Sequence, residues 1–183
     1  MSRIAELKRE DMTDAQKKVA EAITAGPRGA IVGPFNALLR SPELADRAQK
    51  LGEFLRYNTS FPPRLSELAI LVTARYWTAQ YEWWAHSRMA KEGGLAPDII
   101  EAIKNRRRPD FANSDEEAVY DFASEIYQTH GVSDAAYGRV VELFGETGAA
   151  EIVGLCGYYA LVSMTLNVFQ VPVPPGEALP LDD

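Results

Sequence analysis

Apolar residues recur at three- and four-residue spacing almost throughout this chain, and no stretch alternates in the manner of a strand, so the pattern predicts an all-α protein. An N-terminal helical segment is expected over 1–32: Thr13 can cap a helix carrying Val19, Ala22 and Ile23, which Gly26-Pro27 ends. Ser41-Pro42-Glu43 reads as a cap, a first-turn proline and a first-turn acid, with Leu44, Ala48, Leu51 and Leu55 as one apolar stripe behind them. From Leu65 to Glu92 the periodicity runs for 28 residues, more than twice a usual helix, so a break is expected, with Thr78 as an internal cap for Tyr81. Pro97 opens a short helix through Ile103. Ser114 with Glu117 forms a capping box for the next, which Gly131 closes, and Ser133 starts another. Gly145 and Gly148 precede a long apolar helix. The Pro-rich tail, 171–183, is expected to run extended over the surface.

The apolar run Ile152 to Phe169 has 18 residues without a charge, which just reaches membrane-span length. Glu151 at its start, Ser163 and Asn167 within it, and the absence of a basic flank favour a buried core or subunit-interface helix, so no membrane is expected. The first ten residues hold no apolar h-region, which makes the cytoplasm the default location. At 183 residues the chain suits a single domain over 1–183, large enough to need neither disulfide nor zinc staples.

Nineteen basic against 26 acidic residues give a net charge of −7, which disfavours nucleic acid as a partner. The run Arg106-Arg107-Arg108 is compensated by nearby acids and reads as a solvated loop. No phosphate-cradling glycine pattern is present, so no nucleotide cofactor is expected.

Histidine is scarce, with only His86 and His130. His130 sits at the end of a helix, a favourable place for an imidazolium. His86 differs, because Glu82 lies at i−4 on the same helical face, and a carboxylate that orients an imidazole is the minimal device for proton transfer near neutral pH. Tyr81, Trp77, Trp83 and Trp84 surround the pair in sequence and would dehydrate it. Glu67 stands in the apolar stretch Leu65 to Val72 and needs a partner if buried. Along one straight helix it would be about 28 Å from His86; if the chain turns near Thr78, it can approach the pair. Arg64 and Arg75 are the competing partners for Glu67. Two acids and one histidine make a thin ligand set, so no metal is expected.

The segment Glu67 through Leu95 resembles the carboxymuconolactone decarboxylase family, which also contains the AhpD-type alkylhydroperoxidases. Peroxidase members are similar in having a glutamate, twelve residues later a Cys-x-x-Cys, and a histidine four residues beyond. Here Glu67 and His86 take the outer positions, while Ala79 and Glu82 replace the cysteines. A reversible disulfide needs both sulfurs, and the single Cys156 lies far away. The decarboxylase branch instead carries a glutamate four residues before the histidine, as Glu82 and His86 do. Asn36 to Leu44 and the helix with Gly157-Tyr158-Tyr159 also look family-like, although the histidine that some decarboxylases carry between Leu155 and Asn167 is missing.

The resemblance implies an AhpD-like helical bundle with a broken long helix, assembled as a homo-oligomer (dimer, trimer or hexamer). It further implies lyase chemistry of a decarboxylase type on a small carboxylated lactone or oxo-acid, as in the catabolism of aromatic compounds. His86, Glu82 and Glu67 would act as acid and base, with Arg75, Tyr81, Tyr158 and Tyr159 binding a small-molecule carboxylate substrate and no cofactor. The alternatives are a ligand binder without turnover and a purely structural helical oligomer. Phe35, the stretch Leu68 to Val72 and the helix from Ile152 are the apolar surfaces expected at the subunit contact.

Overall fold

The computed structural model describes residues 2–182; Met1 and Asp183, the outermost positions of the expected domain, lie outside the described residues. It is all-α, with no strand among those residues. After a 3-10 turn at Arg9–Asp11 come α1 (Asp14–Ala25), α2 (Phe35–Leu38), α3 (Pro42–Tyr57), α4 (Pro63–Tyr76), α5 (Gln80–Glu92), α6 (Pro97–Lys104), α7 (Ser114–Thr129) and α8 (Asp134–Val168). α-Helix within 1–32 is confined to α1: Gly26-Pro27 stops it, and among the described residues before the Thr13–Gln16 capping box there is only the 3-10 turn.

Helix α4 is the axle. Every residue from Leu65 to Arg75 is buried, since α5, α7 and α8 pack around it. The side chains of Leu68 and Leu71 are fully enclosed, and truncating such a leucine to alanine typically costs about 2–5 kcal/mol. The expected break falls at Trp77 to Ala79 and folds α5 back along α4. Thr78 does not cap α5. Its backbone is left-handed (φ 45°), Ala79 is the N-cap, and the Thr78 hydroxyl accepts from Arg75 and Arg106 instead. The cap of α7 also differs by one residue: Asn113 is the N-cap, and its amide donates to Glu116 rather than Ser114 pairing with Glu117.

The apolar stripe of α3 divides between two faces. Ala45, Ala48, Gly52 and Leu55 are buried, whereas Leu44, Leu51 and Phe54 are exposed, because the bundle meets the small-residue side of the helix. Phe35 and the stretch Leu68 to Val72 are buried within this one chain, whereas the helix from Ile152 leaves Val153, Met164 and Val168 exposed; Val32, Leu143, Leu179 and the outer residues of α3 are exposed as well. Helix α8 is long and apolar enough to cross a membrane by length and composition, and 61% of its apolar window is buried in the fold. It breaks at Gly145 (φ 68°), a conformation that a β-carbon disfavours, which separates the segment begun at Ser133 from the apolar segment that follows.

Beyond α8 the chain is non-helical and lies along α4 and α5. Leu181 is buried, its backbone N–H and C=O bond the Gln80 amide, and the Asp182 carbonyl accepts from Arg75.

Candidate active site

The α4–α5 turn brings Glu67 against the face of α5 that carries Glu82 and His86. Nδ1 of His86 is 2.6 Å from Oε2 of Glu67, and Nε2 is 3.0 Å from Oε1 of Glu82. All three side chains are buried, at 5%, 3% and 5% exposure for Glu67, Glu82 and His86. Carboxylate oxygens only accept hydrogen bonds, so an imidazole held between two of them is favoured in its doubly protonated form, donating from both nitrogens. Burial by itself would push the imidazolium down in pKa. The charges of Glu67 and then Glu82, with their hydrogen bonds, outweigh it and raise His86 to about 9.

Neither competitor for Glu67 reaches it. Arg64 forks onto Asp115 and reaches Glu116 at 2.6 Å, tying the start of α4 to the start of α7. Arg75 lies away from the histidine: its guanidinium donates to the carbonyls of Lys104 and Asp182 and to the Thr78 hydroxyl. Two members of the basic run are occupied too, Arg108 by Glu117 and Asp121 and Arg106 by Thr78.

One side of the Glu82–His86 pair opens into a cavity of about 90 Å³. Tyr81 from α5 and Tyr158 and Tyr159 from α8 line it. Tyr159 places its ring edge-on to the imidazole, 5.0 Å between centroids and at 82°. Its hydroxyl is held well above the usual phenol range by burial and by the carboxylates of Glu82 and Glu67. The remaining wall comes from the loop between α1 and α2, which contributes Arg28, Val32 and Pro34, and from Phe35. Arg56 at the end of α3 and Met89 of α5 complete it. Trp77, Trp83 and Trp84 take no part in this wall, whose apolar part is formed by Phe35, Val162 and the tyrosines among others.

Arg28 and Arg56 were not legible as site residues from spacing, since one sits in an aperiodic loop and the other on the polar side of α3. The available signal is Gly52, a glycine in the middle of a helix, which costs about 1 kcal/mol relative to alanine unless packing requires it. Packing does require it: a β-carbon there would collide with the Tyr158 hydroxyl and with Nη2 of Arg28.

A larger apolar recess of about 510 Å³ lies between α7 and α8, lined by Phe122, Ile126, Tyr127, His130, Val153 and Cys156. It brings no acid to its histidine. Cys156 there is buried, and burial pushes its thiol up to about 12.

The sequence matches no known family profile and no curated protein. Solved structures do match in shape. The alkylhydroperoxidase AhpD core of an uncharacterized peroxidase-related protein from Ralstonia eutropha JMP134 superposes with a TM-score of 0.76 at 16% identity, covering 95% of this chain and 93% of that one. The apo debrominase Bmp8 gives 0.72 at 16% identity, over 96% and 92% of the two chains. A Bmp8 variant in complex with 2,3,4-tribromopyrrole gives 0.73 at 17% identity, over 98% and 96%. Likeness of shape over nearly the whole length at such identities establishes the architecture, and the chain is an all-α protein with the AhpD-like fold.

Proposed function

We propose that this protein is a thiol-independent acid–base enzyme that decarboxylates a small carboxylated lactone or oxo-acid, with His86 and Glu82 handling the proton and Glu67 holding the imidazolium. The observation that carries this reading is the buried Glu67–His86–Glu82 relay opening on a small cavity through Glu82 and His86. A histidine raised to about 9 is a stocked proton donor at neutral pH.

Decarboxylation breaks the bond between the carboxyl carbon and its neighbour. Carbon dioxide leaves, and the electron pair passes through the adjacent carbonyl or enone to its oxygen as an enolate. A hydroxyl from Tyr158 or a guanidinium across the cavity stabilises that oxygen. The proton then moves from His86, directly or through Glu82, to carbon, and water returns a proton to the imidazole. Glu67 never meets the substrate; by bonding Nδ1 it fixes the ring so that Nε2 addresses Glu82 and the cavity.

Thiol peroxidase chemistry is disfavoured on the chain's own residues. Ala79 and Glu82 occupy the positions where the peroxidase pattern has cysteines, and the one thiol is buried in another part of the fold. The test is a screen of carboxylated lactones and oxo-acids for carbon dioxide release. Release that falls by about 10²- to 10⁴-fold in His86→Asn is expected; release unaffected by that substitution, or none from any compound, sinks the reading.

A further inference from the structure

Most arginines of this chain that touch the fold are spent on anions or backbone carbonyls. Arg9, Arg47, Arg64, Arg88, Arg108 and Arg139 each reach a carboxylate. Arg28 and Arg56 do not. Among the described residues neither has a carboxylate partner, although both are half-buried on the wall of the His86 cavity. Nε of Arg28 is enclosed without any acceptor, its Nη2 is 3.4 Å from the Tyr158 hydroxyl, and its guanidinium lies 4.8 Å over the Phe35 ring. Arg56 has a thioether for its partner, with Nη2 2.6 Å from Sδ of Met89, and stacks 5.1 Å over Tyr57. A thioether is a weak acceptor. Two cations removed in part from water, with no carboxylate in ion-pair contact, are placed to take an anion from a ligand.

Gly52 shows that the arrangement is built. The α3 backbone has to come close enough to Tyr158 and Arg28 that a methyl group at position 52 would displace both side-chain tips. The helix forgoes its best residue there, and what occupies the notch is the Arg28–Tyr158 pair.

The cavity lining thus combines two guanidiniums with Glu82 and His86 of the relay. We infer that Arg28 and Arg56 are a carboxylate clamp that holds the carboxylate the substrate keeps, and that the substrate class is a short oxo-acid rather than a bulky aromatic. Its reacting end is assigned by the acid–base reading above. At about 90 Å³ the cavity is well below the roughly 300–1,000 Å³ of drug-sized sites. With the retained carboxylate clamped, the carboxyl group to be lost is driven toward Glu82, where repulsion between like charges favours its departure as neutral carbon dioxide.

The clamp is tested by binding rather than by turnover. Pyruvate carries a carboxylate and a carbonyl and has no second carboxyl to lose; methyl pyruvate is its uncharged counterpart. Calorimetric titration of the full chain should show pyruvate binding at least about tenfold more tightly than the ester. Arg28→Gln and Arg56→Gln should each lose about tenfold or more for pyruvate and nothing for the ester, while Arg47→Gln on the outer face of α3 binds as the parent does. Gly52→Ala, assayed at a temperature where its circular dichroism shows the parent helix content, should lose pyruvate binding, because a β-carbon there would collide with the Tyr158 ring and with Nη2 of Arg28. Equal binding of acid and ester, parent-like binding by both arginine variants, or no binding of pyruvate overturns the clamp. Arginine-dependent pyruvate binding in a protein that decarboxylates nothing leaves the clamp standing and sinks the acid–base reading; the reverse result sinks the clamp alone.

Discussion

Glu67 and His86 are 19 residues apart in the chain and share the 2.6 Å hydrogen bond that fixes α5 against α4. Glu82, on the histidine's own helix, holds the other nitrogen from one turn away. The two carboxylates therefore differ in kind. Glu67 reports on the tertiary turn, whereas Glu82 reports on one helix and on the cavity.

That difference is measurable by nuclear magnetic resonance, because the chain has only two histidines. Both Glu67→Gln and Glu82→Gln should lower the pKa of His86 from about 9, and Glu67→Gln should lower it further, since Glu67 is the stronger of the two charges acting on the ring. A ring titrating identically in the parent and both variants contradicts the geometry.

Stability should follow the same proton. The folded-state pKa of His86 is raised above the ordinary 6.5, so the stabilisation from its charge is complete below about 6.5 and is lost as pH rises through about 9. Urea midpoints should fall across that window. In His86→Asn the fall should vanish, and the variant should be about 3–5 kcal/mol less stable at neutral pH because two buried carboxylates lose their cation.

The kinetics should move in a matching direction. If protonated His86 is the donor, activity is present below its pKa and declines above it. Glu82→Gln should then bring the alkaline limb of the pH–rate profile to lower pH, with a smaller loss in kcat than His86→Asn. An unmoved limb with parent turnover would remove both residues from the chemistry.

Cys156 should be dispensable. Its thiol is buried on the α7 side of α8 and held in the protonated form up to about 12. Cys156→Ser should keep any decarboxylase turnover, and neither protein should reduce alkyl hydroperoxides with a dithiol donor in a coupled assay.

Thr78 stores strain at the turn on which the site depends. A β-branched residue at φ 45° costs about 1–2 kcal/mol relative to one that accepts the left-handed region. Thr78→Asn tolerates that backbone and keeps an oxygen for Arg75 and Arg106. It should raise the melting temperature by about 2–4 °C per kcal/mol recovered, as read by calorimetry.

The hairpin was legible because 28 residues of unbroken periodicity exceed what one helix needs, and from it the approach of Glu67 to His86 follows. Its turn chemistry was not legible, because Thr78 is an ordinary cap residue and nothing local says that Arg75 and Arg106 would claim its hydroxyl. The stripe of α3 misled for a related reason: helical spacing marks a face but not which neighbour arrives, and here the small residues met the bundle. Arg75 looked available by its place near the hairpin, yet from the last turn of α4 it points at the tail and at the end of α6. The guanidiniums that do face the histidine come from positions without periodicity, where only the mid-helix Gly52 leaves a trace.

Gly52 also sets a trap for protein engineering. Replacing helical glycines with alanine is a standard route to a hardier protein, and by intrinsic propensity this position ranks among the first to change, for a gain of about 1 kcal/mol. The added methyl would fall where Arg28 and Tyr158 now meet. A substitution chosen on propensity alone would therefore displace both side chains, so helix propensity and the shape of the cavity compete here for the space of a single carbon atom.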